Sequence, residues 1–286
     1  MDFVDRSNFG YLFFISGVCL YAISDAVMKY FMNMYDVNQV VFIRTLARFV
    51  PLLGIMLSKQ KNPFKTKKMS ENLFRAVLAS IGTYAFMCAY GYANMTDVVV
   101  VSYTSAVFVI PFSIMILKEK FNMQNATAIL CSFFGMLLAF RPGKGVFQYG
   151  IIFAIIGAMI SAMNQVLIRK LSRTEDETTI MFYHQAVLLL MSFTIGASAF
   201  HVANHAHMAT LLLGGIVGAV AQYCIVHALK LSTSSGLAAA SYSMLVPVTI
   251  IDYFLYDKIP DLYIIGGLML ILMGNLKAFS IQSQLK

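Results

Sequence analysis

Residues 10–31 and 150–171, spaced 140 positions apart, are written to one plan, and each is long and apolar enough to cross a bilayer. The first reads GYLFFISGVCLYAISDAVMKYF and the second GIIFAIIGAMISAMNQVLIRKL. Aligned without gaps, they share Gly10/Gly150, Phe13/Phe153, Ile15/Ile155, Gly17/Gly157 and Ala22/Ala162. Each then places a polar pair, Ser24-Asp25 or Asn164-Gln165, ahead of a cation four residues further on, Lys29 or Arg169. Self-similarity at a fixed spacing marks an internally repeated chain. The fold must therefore accommodate two copies of one unit in lipid.

Lipid is required by composition as well. Hydrophobic residues make up 59% of the chain and charged residues 12%, against about 25% charged in a typical soluble domain. In water such a chain would expose large apolar patches. The net charge of +8 does not fall into a basic stripe with interleaved aromatics, so nucleic acid is not the expected partner. The expected partners are membrane lipid and a small-molecule substrate. Cys19, Cys88, Cys131 and Cys224 all lie within apolar runs and form no CxxC pair, so they read as packing residues. No cleaved signal peptide is expected before the first span.

Ten segments meet the length of about 20 mostly apolar residues that a crossing needs: 10–31, 38–57, 75–94, 98–117, 124–141, 149–169, 179–199, 210–230, 235–256 and 262–281. With the N-terminus cytoplasmic, fifteen Lys and Arg fall on the inside and four (Lys29, Arg141, Lys144, Lys258) outside, with Arg44 and Arg48 inside the second span. That bias over short loops orients the chain with both termini cytoplasmic. Five spans per copy is an odd number, so the second copy is upside down. The expected fold is an all-α integral membrane protein of ten helices in two inverted five-helix repeats, residues 1–145 and 146–286. Inverted repeats in a membrane chain are a signature of secondary transporters. The fourth and ninth spans agree with the inversion. Ser105/Ser241 and Pro111/Pro247 match at one offset, and Glu119-Lys120 and Asp257-Lys258 match two residues further on.

The FIR of Phe42-Ile43-Arg44, the small-residue openings of spans four and nine, and Pro111 and Pro247 with their acidic helix ends resemble the drug/metabolite transporter superfamily, EamA type. The resemblance covers essentially the whole chain. Within that superfamily, SDAVMKYF (24–31), QVVFIRTLARF (39–49) and the YDKIPD that ends span nine are most similar to the S-adenosylmethionine transporters of intracellular bacteria. The resemblance implies a carrier in a bacterial inner membrane whose cavity is lined by spans one, three, four, six, eight and nine.

Each ionisable side chain within a span needs a reason, since it costs roughly 2.5–3.5 kcal/mol on insertion scales. Asp25 and Lys29 share a face of span one. They either neutralise each other, or Asp25 forms the outer edge of a cavity and takes up a proton or attracts a cation. Arg44 and Arg48 share a face of span two, and Arg48 lies near mid-bilayer. It needs a carboxylate such as Asp25 or Asp252, water, or a substrate carboxylate, which arginine grips as a fork. Asp252 completes this set of candidate charges, near the interface. Tyr21, Tyr84, Gln222 and Tyr223 are placed at mid-depth to meet a flat or amphiphilic metabolite, with Asn164 and Gln165 toward the inner rim. Pro111 and Pro247 each favour a kink, static or as paired hinges. His184 and His227 read as lone packing residues. The pair His201 and His205, with His207 beside it, lacks a third ligand, so no metal is expected.

An intramembrane enzyme would need clustered acids or a motif such as HExxH, and neither is present. No cofactor is expected. A non-transporting scaffold or receptor would carry a soluble domain or a long interaction loop, and neither is visible. The sequence therefore points to a secondary transporter, of S-adenosylmethionine by resemblance, with amino acids or other small metabolites as the alternative cargo. Coupling to protons, exchange for a counter-metabolite, and a monomeric or homodimeric state all stay open at this point.

Overall fold

The computed structural model describes residues 3–32, 34–58, 62–93, 95–120, 122–141, 149–196, 204–256 and 262–284. Among the described residues there is no strand. The helices are α1 (Phe3–Met32), α2 (Val37–Ser58), α3 (Met69–Tyr92), α4 (Met95–Ser102), α5 (Ser105–Leu117), α6 (Met123–Phe140), α7 (Tyr149–Leu171), α8 (Glu177–Gly196), α9 (His205–Leu231), α10 (Ser234–Ala238), α11 (Leu245–Tyr256) and α12 (Leu262–Gln284). A 3-10 segment, Ala239–Met244, joins α10 to α11. Side-chain caps set several starts: Asn122 accepts from the amides of Gln124 and Asn125, Asn204 from Ala206, and Thr233 from Gly236.

Among the described residues, eight stretches are long and apolar enough to span a membrane, and Met123–Ala139 and Ser234–Ile250 are shorter apolar helices. The result is a ten-helix membrane protein in which α4 with α5 makes the fourth crossing and α10 to α11 the ninth. Large apolar side chains on the outside of the bundle, such as Leu57, Leu213, Leu262 and Leu276, are exposed. In a bilayer these face lipid.

The packing obeys the inverted repeat. The pairs α1 with α9 and α7 with α3 are equivalent under exchange of the halves, as are α2 with α9 and α8 with α3, and all four are extensive contacts. The contacts α2 with α8 and α6 with α12 map onto themselves, so the pseudo-twofold axis passes through both. Two of the repeated glycines lie in the α1–α9 and α7–α3 contacts. A Cβ at Gly17 would come within 2.9 Å of the Ala221 carbonyl, and one at Gly150 within 2.8 Å of the Ala89 carbonyl. The shared glycines are thus where α1 meets α9 and where α7 meets α3. Small residues at membrane helix crossings let backbones approach closely.

Both broken crossings lose regular helix at related places. The fourth departs at Tyr103–Thr104, the ninth at the 3-10 segment from Ala239 to Met244. The Tyr103 and Tyr242 rings stack there at 5.6 Å and 22°, and the Tyr242 hydroxyl donates to the Tyr103 carbonyl at 3.1 Å. Pro247 lies in the first turn of α11. Its missing N–H falls opposite the Ser243 carbonyl, so it accounts for the second break. Pro111 sits inside a continuous α5, about two turns beyond the first break.

One end of the bundle, here the basic face, carries the connecting residues 62–68, 118–120, 172–176 and 232–233. It is tied by Lys170 to Glu71 at 3.0 Å and by Ser235 donating to Glu119 at 3.1 Å. At the opposite face Tyr35 hydrogen-bonds His207 Nδ1 at 2.8 Å.

Candidate substrate site

Polar side chains gather where the two repeats meet, in a layer running from mid-bundle toward the basic face. Arg48 is eleven residues into α2, about 16 Å along the helix from its start and close to its middle. It is 7% exposed. Its guanidinium lies over the Tyr21 ring of α1 at 5.3 Å. One turn earlier, Arg44 donates to Asp25 Oδ1 and contacts the sulfur of Met28. Asp25 therefore answers Arg44 rather than Arg48. Ser24, beside it, donates to the Gly214 carbonyl of α9 at 2.7 Å.

The second part of the layer is built by α3, α7, α8 and α9. Arg75 is 1% exposed. It donates to Asn164 Oδ1 at 3.1 Å and to the Ile180 carbonyl at 2.7 Å, so one side chain of the first repeat holds two helices of the second. One turn along α8 from Ile180, His184 Nδ1 meets Gln222 Nε2 at 3.1 Å, and Gln185 donates to Gln222 Oε1.

The layer is under-satisfied within the protein. Among the described residues, Arg44 Nε, Arg48 Nε and Nη2, Arg75 Nε, Gln165 Nε2, His184 Nε2 and Gln185 Oε1 are buried without a hydrogen-bond partner. Native interiors leave few such groups, and each calls for an explanation. Most of them are donors.

Of the residues singled out from the sequence, Tyr21, Asp25, Arg44 and Arg48 form one cluster, while Asn164 and Gln222 belong to the other. Gln165 contributes its buried amide. Tyr84 lies away from both, donating to Asn38 near the start of α2 at 3.2 Å. Tyr223 stacks on His227 at 5.9 Å, nearer the basic face. The side chains of Lys29 and Asp252 lie outside the described residues. Sequence reasoning missed Arg75, Glu177, His184 and Gln185. From sequence Arg75 reads as a loop cation because the apolar window starts there, whereas α3 starts six residues earlier. Glu177 is the first residue of α8. It accepts from Lys230 at 2.9 Å and pairs with His227 Nδ1 at 3.2 Å, so His227 is not a plain packing residue. Arg169 caps the C-terminus of α9 by donating to the Leu229 and Lys230 carbonyls, each at 2.6 Å.

Two inverted five-helix units closing over a mid-membrane polar layer are the architecture of a secondary transporter. The chain belongs to the EamA-like transporter family, whose profile matches residues 8–141 and again 148–278. Among its curated relatives, the "S-adenosylmethionine uptake transporter" of Rickettsia prowazekii (strain Madrid E) is 23% identical, covering 96% of this chain and 95% of the relative. The protein of the same description from Rickettsia bellii (strain RML369-C) is 21% identical over 100% and 97%. The "Pseudopaline exporter CntI" of Pseudomonas aeruginosa (strain UCBPP-PA14) is 26% identical over 77% and 76%. A solved crystal structure superposes with a TM-score of 0.81 at 14% identity, covering 97% of this chain and 98% of the other, and so shares its fold.

Proposed function

We propose that this protein carries S-adenosylmethionine across a bacterial cytoplasmic membrane by alternating access. The single observation that carries the transport reading is the buried layer of unpartnered polar groups at the junction of the two repeats. Groups so placed are met by water or by a passing substrate. The cargo reading is supported by the relatives described as S-adenosylmethionine uptake transporters, which align over nearly their full length. The two repeats, residues 1–145 and 146–286, rock as units about the pseudo-twofold axis. The basic face is cytoplasmic by the distribution of Lys and Arg, which puts both termini inside. Tyr21 and the amides of Asn164, Gln165 and Gln222 suit a substrate with an aromatic base at one end and a polar head at the other.

A second reading is export of a larger amino-acid-derived metabolite, favoured by the likeness to the pseudopaline exporter. Uptake of radiolabelled S-adenosylmethionine, amino acids and nucleosides into proteoliposomes separates the two. The expected result is saturable S-adenosylmethionine uptake that excess unlabelled amino acid does not block. Amino acid uptake with no competition from S-adenosylmethionine would reject the cargo.

A further inference from the structure

We infer that Arg48 is the residue that takes the substrate's carboxylate, so that the site selects for an amino-acid head group. This deepens the transport reading and rests on it. Three features of the site lead to it. First, the two nitrogens of Arg48 without a partner, Nε and Nη2, lie on one edge of the guanidinium. Their parallel N–H bonds form the fork that matches the two oxygens of a carboxylate. Secondly, Arg48 is a cation near mid-membrane whose neighbouring carboxylate is engaged elsewhere. Asp25 is hydrogen-bonded to Arg44, while the contact given for the Arg48 guanidinium itself is the face of Tyr21. A buried charge without a hydrogen-bonded counterion is costly, and a carboxylate on this edge removes that cost. Thirdly, the surroundings carry an excess of positive charge. Arg75 is satisfied by an amide and a backbone carbonyl rather than by an acid, and the His184–Gln185–Gln222 chain is built of neutral amides and an imidazole.

Gly218 of α9 explains how the site is kept shut between turnovers. A Cβ there would lie 2.7 Å from Arg48 Nε, Arg48 Nη2 and Ser24 Oγ alike, so the guanidinium is seated against bare backbone. Arg48 belongs to the first repeat and Gly218 to the second. Movement of one repeat against the other parts them and uncovers the Nε–Nη2 edge. The carboxylate then replaces a contact that offers the guanidinium no acceptor. The aromatic end of the substrate is left to Tyr21 and its neighbours.

The test compares matched ligands that differ only in the carboxylate. Purified protein in detergent is titrated with S-adenosylmethionine and with its decarboxylated analogue, and with methionine and 3-methylthiopropylamine, while thermal unfolding is followed. The wild type is expected to be stabilised by the carboxylate member of at least one pair, at concentrations about tenfold or more below those its partner needs. Arg48→Gln is expected to lose that preference and Arg48→Lys to keep part of it. Equal stabilisation by both members of each pair, a preference that survives in Arg48→Gln, or no stabilisation by any carboxylate overturns the inference. The wild-type comparison decides the matter even where the variants do not fold. A carboxylate preference without S-adenosylmethionine uptake in proteoliposomes would overturn the proposed cargo and leave the role of Arg48 standing.

Discussion

At the scale of single residues, what distinguishes this chain is a set of ionisable groups placed where lipid would surround them but for the partner repeat. At Gly218 a Cβ would lie 2.7 Å from the Arg48 guanidinium and the Ser24 hydroxyl, so a methyl group fits only if those side chains shift. Gly218→Ala is expected to cost about 1–3 kcal/mol of stability, as overpacking does, and to slow S-adenosylmethionine uptake by more than it lowers the melting temperature. An uptake rate equal to that of the wild type would mean that Arg48 has freedom the packing denies it. Asp25 carries a different prediction. A coupling role for Asp25 would predict that Asp25→Asn loses uptake driven by a pH gradient yet keeps exchange of labelled for unlabelled substrate. Undiminished gradient-driven uptake would leave Asp25 as the structural partner of Arg44. Asp25, Arg44 and Arg48 were legible in the sequence because a charge within an apolar run stands out. Arg75, Glu177 and His184 were not. The first two lie at the polar edge of their helices, where a hydropathy window reads loop; Arg75 is held by α7 and α8 of the other repeat, and Glu177 by Lys230 and His227 of α9. His184 was visible but acquires its role from Gln222, which lies 38 positions away.

At the scale of helices, the close crossings and the broken crossings divide the work. α6 and α12 meet backbone to backbone. A Cβ at Gly135 would lie 2.6 Å from the Gly267 carbonyl, and one at Gly267 would lie 2.4 Å from the Gly135 carbonyl. Gly135→Leu is expected to separate the pair and lower the melting temperature sharply, since the added side chain meets backbone that cannot rotate away. A melting temperature within a degree of the wild type would contradict this packing. The breaks at Tyr103–Thr104 and Ala239–Met244 read as the flexible joints. Tyr242→Phe removes one hydrogen bond, worth about 0.5–1.5 kcal/mol, and keeps the ring stack. It is expected to alter the transport rate while leaving substrate affinity alone, which the split between maximal rate and half-saturating concentration reports. The two prolines in the sequence announced that these spans are irregular. Pro111 lies within a continuous α5, while regular helix is interrupted at Tyr103–Thr104, where the two crossings touch.

At the scale of the molecule, inversion was fully legible, because it rests on properties summed over whole helices: apolar length, alternation of Lys and Arg, and an odd number of spans per repeat. Packing then repeats the symmetry helix by helix. α1 lies on α9 as α7 lies on α3, and two of the glycines that first drew attention to the repeat lie in those contacts. The orientation is open to a direct check. In a cysteine-free background, Lys67→Cys is expected to react with an impermeant thiol reagent only after the cells are opened, and labelling of intact cells would place the basic face outside. The central claim is that two inverted halves carry S-adenosylmethionine past one buried polar layer, and counterflow tests it most directly. Proteoliposomes are loaded with excess unlabelled S-adenosylmethionine and placed in a trace of the labelled compound. A carrier predicts that label inside rises transiently above its outside concentration and then decays. Label that never exceeds the outside concentration would contradict the account.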